Sequence, residues 1–421
     1  MNKIFLGIVF VLCTATPAAA QLEISADPVV AGFIPQRLAR IDRAINAEIA
    51  AGKIPGAVAV IARNGAIVYH KSFGFADIAA QKPMQTNSIF RIASMTKAVT
   101  TVAVMMLYEQ GHFLLNDPLA KYIPAFTHMR VITAVDGDGN LSTTDATSPV
   151  RIIDLLTHTS GIAYPFIPGK LQKTYIKAGV IDGITDKDIT LQSQMELLAI
   201  QPLLFEPGSE WVYGLSYDVL GYLVEVISGK SLQRFFAEEI FVPLGMNDTY
   251  FYLPEGKADR LVTLYADIAD KGLVVLKGND PIVRNINPRY PVEGARSYFS
   301  GGAGLSSTAL DYTRFCQMLL NGGGFNGSRL LSRKSIELIR TSRADIDKDG
   351  VADFGLGFYI TDLGKTGELG SPDTYSWGGA FNTSFWIDPA ENLVAVIMGQ
   401  TRPVQSSIKR RFETLVYQAL E

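Results

Sequence analysis

The apolar positions of this chain follow two rhythms, and the rhythms divide it. Across residues 35–51, Leu38, Ile41, Ile45 and Ile49 recur at helical spacing with Arg and Glu between them, which predicts an amphipathic helix stopped by Gly52. Residues 56–62 and 66–70 are apolar runs joined by Arg63-Asn64-Gly65. Asn-Gly between two such runs predicts a hairpin, because both residues accept positive φ. Strand patterns then stop and return only at 355–361, 383–388 and 393–398, before a terminal helical pattern over 405–420. Between them lie helical patterns: the apolar run 98–107 ending near Gly111, then 119–124, 152–156, 191–200, 219–227, 309–320 closing on Gly322-Gly-Gly324, and 332–340. Residues 136–140 and 182–188 read as exposed loops. The pattern predicts an α+β fold whose antiparallel sheet comes from both chain ends, flanked by N- and C-terminal helices, with a mainly helical insertion. It divides the chain into 21–90 with 345–421, against 91–344.

Composition narrows the setting. Residues 1–20 carry Lys3, an apolar core over 4–13, and Ala18-Ala19-Ala20 before Gln21, which reads as a secretory signal too short to span a bilayer. An exported protein, periplasmic or extracellular and without a membrane anchor, is expected. Cleavage would remove Cys13 and leave Cys316 alone, so no internal disulfide is available and a core must carry stability. With 48% hydrophobic residues the chain can build one. The formal charge of −3 gives no reason to expect nucleic acid or an anionic membrane as partner.

Candidate chemistry sits at the start of the 98–107 run. Ser94 and Lys97 are three residues apart in Phe90-Arg-Ile-Ala-Ser-Met-Thr-Lys97, and positions i and i+3 share a helix face, so the amine can reach the hydroxyl. A serine attacks only when something takes its proton, and a lysine does so only if burial or a nearby cation lowers its pKa. The same spacing recurs at Ser406-Ser-Ile-Lys409, in a Lys/Arg-rich tail that reads as a solvated helix face.

Further stretches decide between the two: Leu155-Leu-Thr-His-Thr-Ser-Gly161, Pro207-Gly-Ser-Glu-Trp-Val-Tyr213, Asp218-Val-Leu-Gly221, Gly301-Gly-Ala-Gly-Leu-Ser-Ser-Thr308 and Trp377-Gly-Gly379. Taken in order with Ser94 and Lys97, they resemble the serine β-lactamase and penicillin-binding-protein superfamily, and within it the class C-like family VIII carboxylesterases. The resemblance implies a β-lactamase/transpeptidase-like fold with the active site where the two parts of the chain meet. It implies Ser94 as the acylated nucleophile, Lys97 and Tyr213 as the proton-handling pair, and the backbone amides of Ser94 and Ala380 as the oxyanion hole. Trp377, Gly378 and Gly379 are then the substrate-lining strand, and no metal or cofactor is called for.

Two departures from the lactamase pattern bear on specificity. Leu215 stands where those enzymes have Asn, giving Tyr213-Gly-Leu-Ser216, the esterase variant. Trp377 stands where they have Lys, so a cation that would hold a substrate carboxylate is missing and neutral esters are favoured. The literal Lys365-Thr-Gly367 lies in a turn-rich stretch and is rejected as the third motif. The expected activity is hydrolysis of short acyl or aryl esters, a small-molecule substrate. β-Lactamase or D-amino-acid peptidase activity, acyl transfer, and a non-catalytic envelope binding module are the alternatives.

Other candidates read as structural. His158 has no Gly-x-Ser-x-Gly partner and reads as a packing residue, and Asp154 reads as a helix-end contact. Residues 345–353 imitate a calcium loop, but position twelve is Leu356 where an acid is needed, so a solvated acidic loop is expected. Tyr164, Phe166, Tyr175 and Tyr298 are possible walls of an acyl pocket.

Overall fold

The computed structural model describes residues 22–24, 27–137, 139–276, 287–367 and 369–421. The leader-like residues 1–20 lie outside the described residues. The sheet is assembled from both chain ends, as the split pattern predicts. In spatial order it runs Glu23–Ile24, Ala66–Asp77, Gly56–Arg63, Leu393–Met398, Thr383–Asp388, Tyr375–Gly379 and Tyr359–Ile360, with Lys82–Pro83 pairing to Ala66–Asp77. All these pairs are antiparallel except the short edge strand Glu23–Ile24, which joins in parallel. Asn64 and Gly65 take φ of 55° and 78°, the geometry their hairpin turn requires.

The period-2 alternation of the central strands feeds two cores. Ala57, Ala59 and Ile61, with Ala395, Ile397 and Trp386, pack beneath helices Pro35–Ala50 and Ile408–Tyr417. On the helix side this layer buries Leu38, Ile41 and Ile45, each contributing about 1.5–3 kcal/mol. The opposite residues, Val58, Val60, Val394, Val396 and Met398, face the larger core, where helix Ala309–Leu320 crosses the sheet. Deeper in that core, helix Thr96–Glu109 is buried on every side from Thr96 to Leu107, as a helix apolar all round must be.

Several elements differ from expectation. The predicted strand over 355–361 shrinks to Tyr359–Ile360. Gly357 lies at φ 83°, and a Cβ there would fall 2.4 Å from both Thr101 Oγ1 and the Tyr217 hydroxyl, so the chain presses against the helices instead of running flat. Residues 119–124 form two short 3₁₀ turns, not one helix. Asp136, Gly137 and Asn140 are exposed, as expected, but they lie at the tip of a hairpin, Arg130–Val135 with Leu141–Asp145, which the pattern does not place.

Candidate active site

Ser94 sits in the single 3₁₀ turn Ala93–Met95 that leads into helix Thr96–Glu109. Ala93 takes φ 42°, a conformation costing on the order of 1–3 kcal/mol that persists only where the surroundings hold it. Here strand Phe90–Arg91 pairs with Ser306–Ser307, and the buried Arg91 guanidinium donates to the carbonyls of Val262, Tyr290 and Pro288. The turn brings Ser94 to the wall of a cleft of about 400 Å³ that Tyr213, Trp377, Gly378, Gly379 and Ala380 also line.

The structure brings the predicted residues together, with one change in who touches whom. The Tyr213 hydroxyl donates to Ser94 Oγ at 2.7 Å. Lys97 does not hydrogen-bond to Ser94, although helix spacing permits it. Its ammonium, 1% exposed, donates to the Gly302 carbonyl at 2.7 Å and to the Tyr164 hydroxyl at 3.0 Å. It lies 4.6 Å from the centre of the Tyr213 ring, with the Tyr164 and Tyr217 rings at 5.3 and 5.9 Å. Between Lys97 and Ser94 thus stands the Tyr213 ring, with the ammonium against its face and Ser94 at its hydroxyl.

Gly302 permits this crowding. A Cβ there would fall 2.6 Å from Asp218 Oδ2 and 3.5 Å from Lys97 Nζ. Burial raises the Asp218 carboxyl above its usual range, opposed by the Ser300 hydroxyl at 2.6 Å and the Lys97 charge. Tyr164, weighed from sequence only as a pocket wall, is thus also the hydroxyl that holds Lys97, and Phe166 stacks on it at 4.6 Å. Tyr175 and Tyr298 are buried in the core, and Tyr298 donates to Asp218 at 3.2 Å.

His158 packs against Tyr213 at 4.9 Å and Tyr217 at 5.1 Å, ring centre to ring centre. Burial, then the Lys97 charge, lowers its pKa well below the ordinary value, so the ring is neutral. Neither ring nitrogen has a hydrogen-bond partner, so it packs as a flat apolar surface and no triad exists. Asp154 is a helix-end contact, bonding both the Arg151 side chain and the Arg151 N–H.

On the other wall, strand Tyr375–Gly379 lies hard against the nucleophile turn. A Cβ on Gly379 would fall 2.3 Å from the Ile92 carbonyl and 2.2 Å from Thr383 Oγ1, so only glycine fits. The approach sets Ala380 beside Ser94, and among the described residues neither of their N–H groups donates to a backbone carbonyl. Two amides without backbone partners that border one cleft are the donors an oxyanion needs. The Trp377 ring closes over Tyr213 at 5.8 Å and Phe354 at 5.4 Å.

Four charged or polar positions depart from expectation. Lys409 is not on a solvated face: it is half-buried and lines the cleft, with its Nζ 3.7 Å from where a Gly378 Cβ would be. Arg402, which carried no sequence signal, lines the same cleft, so the loss of lysine at 377 does not leave it without cations. Residues 182–184 are not an exposed loop, since Asp182 and Ile184 line the cleft and burial pushes the Asp182 carboxyl up to about 6. Ser216 cannot stand in for a missing amide contact, because it is fully buried and bonds Ser160 at 2.9 Å, beside the buried Leu215.

Lys365 lies on the short helix Leu363–Thr366 and not on a strand of the cleft. Its ammonium sits among the acidic-loop carboxylates, 2.8 Å from Asp349 and 3.2 Å from Asp347 and Asp353. The loop thus closes on a lysine, at the place where Asp345, Asp347 and Asp353 converge.

Comparison with known proteins agrees with this geometry. A family model described as Beta-lactamase matches residues 41–418. Esterase EstB of Burkholderia gladioli is 32% identical over 375 residues, 86% of this chain and 90% of the relative. A putative D-alanyl-D-alanine carboxypeptidase of Escherichia coli O157:H7 is 30% identical over 423 residues, 96% of this chain and 91% of the relative. The solved structure of EstCE1, described as a hydrolase with promiscuous acyltransferase activity, superimposes with a TM-score of 0.79 at 29% identity, covering 91% of this chain and 99% of its own. With the family match spanning nearly the whole chain and the motif residues gathered around one cleft, the protein belongs to the beta-lactamase family.

Proposed function

We propose that this protein is a serine carboxylesterase that cleaves small acyl or aryl esters through an acyl-enzyme on Ser94. The observation that carries the reading is the 2.7 Å hydrogen bond between Tyr213 and Ser94 Oγ in a cleft that also holds two free amides. In the reacting form Tyr213 has lost its hydroxyl proton to solvent, the Lys97 ammonium stabilises the phenolate across the ring, and the hydrogen bond to Ser94 is reversed; as Ser94 Oγ attacks the ester carbonyl, the Ser94 proton passes to the Tyr213 oxygen and leaves it neutral. The carbonyl oxygen becomes an oxyanion held by the Ser94 and Ala380 amides. Tyr213 then protonates the departing alcohol, and a water attacks the acyl-enzyme with the roles reversed. The esterase EstB and EstCE1 relatives support an ester substrate.

A lactam or peptide substrate is disfavoured because the position of the expected Asn is the buried Leu215, which leaves an amide side chain without that polar contact. Acyl transfer to an added alcohol is the second reading, resting on the description of EstCE1. The division of the chain into 21–90 with 345–421, and 91–344, belongs to the same proposal. So does export to the periplasm or beyond, which rests on the composition of residues 1–20 and on the carboxypeptidase relative. Among the described residues no helix is long and apolar enough to cross a membrane. The deciding experiment is p-nitrophenyl butyrate turnover by the wild type and Ser94→Ala. Equal rates would end the proposal, and product analysis with added methanol would separate hydrolysis from transfer.

A further inference from the structure

The cleft contains two cations that no step of the proposed reaction uses. Arg402 follows the end of strand Leu393–Met398, and Lys409 lies in the first turn of helix Ile408–Tyr417. Their place is fixed by the clamp that also fixes the nucleophile. The Gln400 side chain accepts from the Arg91 N–H at 2.9 Å, and the Arg402 N–H donates to the Tyr265 carbonyl at 2.8 Å. Arg402 approaches the Phe166 ring to 5.9 Å. Lys409 stands beside Gly378, one residue from the position where Trp377 replaced a lysine.

Both side chains are half-buried, and burial lowers the pKa of each. Among the described residues neither makes an ion pair. The charges nearest in effect are Asp182, which lines the same cleft and acts on Arg402, and Arg410, which acts on Lys409. Two partly desolvated cations that share one carboxylate, Asp182, which acts on Arg402 only, are costly unless a further anion completes them. A guanidinium and an ammonium bordering one cleft offer a carboxylate charge-assisted hydrogen bonds. With Asp182 ionised, these three groups carry one net positive charge, which matches a monoanion.

We propose that Arg402 and Lys409 form a carboxylate-binding subsite, and that the preferred substrates are esters bearing a second, ionised carboxylate. This rests on the esterase reading. The cation absent from strand Tyr375–Gly379 is supplied from the C-terminal segment, so the substrate class is anionic and not neutral. The bond cleaved and the acyl-enzyme formed are unchanged. The subsite decides which ester is held against Ser94.

The test compares kcat/KM for p-nitrophenyl butyrate with that for mono-4-nitrophenyl glutarate, carboxylate on the acyl side, and for 4-carboxyphenyl butyrate, carboxylate on the leaving group. The wild type should prefer one anionic ester over butyrate by about tenfold or more, and whichever is preferred locates the subsite. Lys409→Gln and Arg402→Gln should each lower that preference by about tenfold, a scale set by charge-assisted hydrogen bonds. Lys409→Arg should restore most of it, which a merely structural lysine would not explain. Glutarate binding measured by calorimetry reads the subsite without turnover, and it should weaken with salt and vanish in the double variant. If Ser94-dependent turnover occurs with no anionic preference, or glutarate binds the double variant as it binds the wild type, the subsite is wrong while the esterase reading stands. If no ester turns over but glutarate binding depends on both cations, the subsite stands and the esterase reading falls.

Discussion

Two stretches of this chain share the spacing Ser-x-x-Lys, and they have opposite surroundings. At the first, Ser94 receives the Tyr213 hydroxyl in an open cleft, while Lys97 is enclosed and hydrogen-bonded to Gly302 and Tyr164. At the second, Ser406 donates to Glu48 of the N-terminal helix at 2.8 Å, while Lys409 is the member that reaches the cleft, without an ion-pair partner. A serine becomes a nucleophile by what it faces, not by the lysine one turn away. Both lysines nevertheless serve one cleft, the buried one by lending charge to a tyrosine and the half-buried one by waiting for an anion.

The comparison can be broken most severely at its serines. Ser94→Ala should lower kcat for p-nitrophenyl butyrate by about 10⁴ or more, whereas Ser406→Ala should change it less than twofold and cost about 0.5–1.5 kcal/mol of stability. Steady-state kinetics and urea midpoints on the same preparations check both, and comparable kinetic losses would erase the distinction. Next come Lys97→Met and Tyr213→Phe, each expected to cost about 10²–10⁴ in kcat, the range of general acid–base contributions. A Lys97→Met enzyme near wild-type rate would show that the charge beneath Tyr213 is dispensable. Gly379→Ala should follow, with kcat down about 10–100-fold, because the added Cβ drives the strand off the Ile92 carbonyl and displaces the Ala380 amide. Single-turnover acylation should slow by the same factor.

The smallest effect sharpens the contrast between satisfied and unsatisfied charges. Asp182 has its folded-state pKa raised by burial from 3.8 to about 6. Its ionisation therefore opposes folding, with no penalty below about pH 4 and the full penalty above about pH 6. Asp182→Asn should leave stability unchanged near pH 3.5 and raise it by at most about 3 kcal/mol at pH 8. Denaturant midpoints across that range would read it, and a variant less stable at pH 8 than the wild type would mean that Arg402 depends on Asp182 more than burial penalises it.

Legibility in sequence followed the physics of each region. Strand Leu393–Met398 was readable to the residue, because a strand buried on both faces is an unbroken apolar run, and Thr383–Asp388 was readable from its apolar centre Phe385-Trp-Ile387. The hairpin Arg130–Asp145 was invisible because its residues are mostly polar and exposed. Spacing suggested Ser94 with Lys97 and equally Ser406 with Lys409, whereas Tyr213 and Trp377-Gly-Gly379 were legible only through the resemblance of their stretches to a known family. Asp182, Arg402 and Lys409 could not be placed in the cleft, since each is an ordinary charged residue until the fold removes its water. Trp377 removes the cation of its own strand, and Arg402 and Lys409 border the same cleft from the C-terminal segment, as a charge can be supplied from any element that lines the space.

The sheet has a consequence in time. Its strand Gly56–Arg63 is made early, yet its neighbour Leu393–Met398 is made only after all of residues 64–379, as are Ala380, Arg402 and Lys409. At about 5–20 residues per second, Ser94 precedes its second oxyanion amide by tens of seconds. Through most of that interval the growing chain already holds Ser94, Lys97 and Tyr213, but not the strand that forms the other wall of their cleft. A chain that stops before Tyr375–Gly379 therefore has the nucleophile and its hydrogen-bond partner with no second amide to receive an oxyanion.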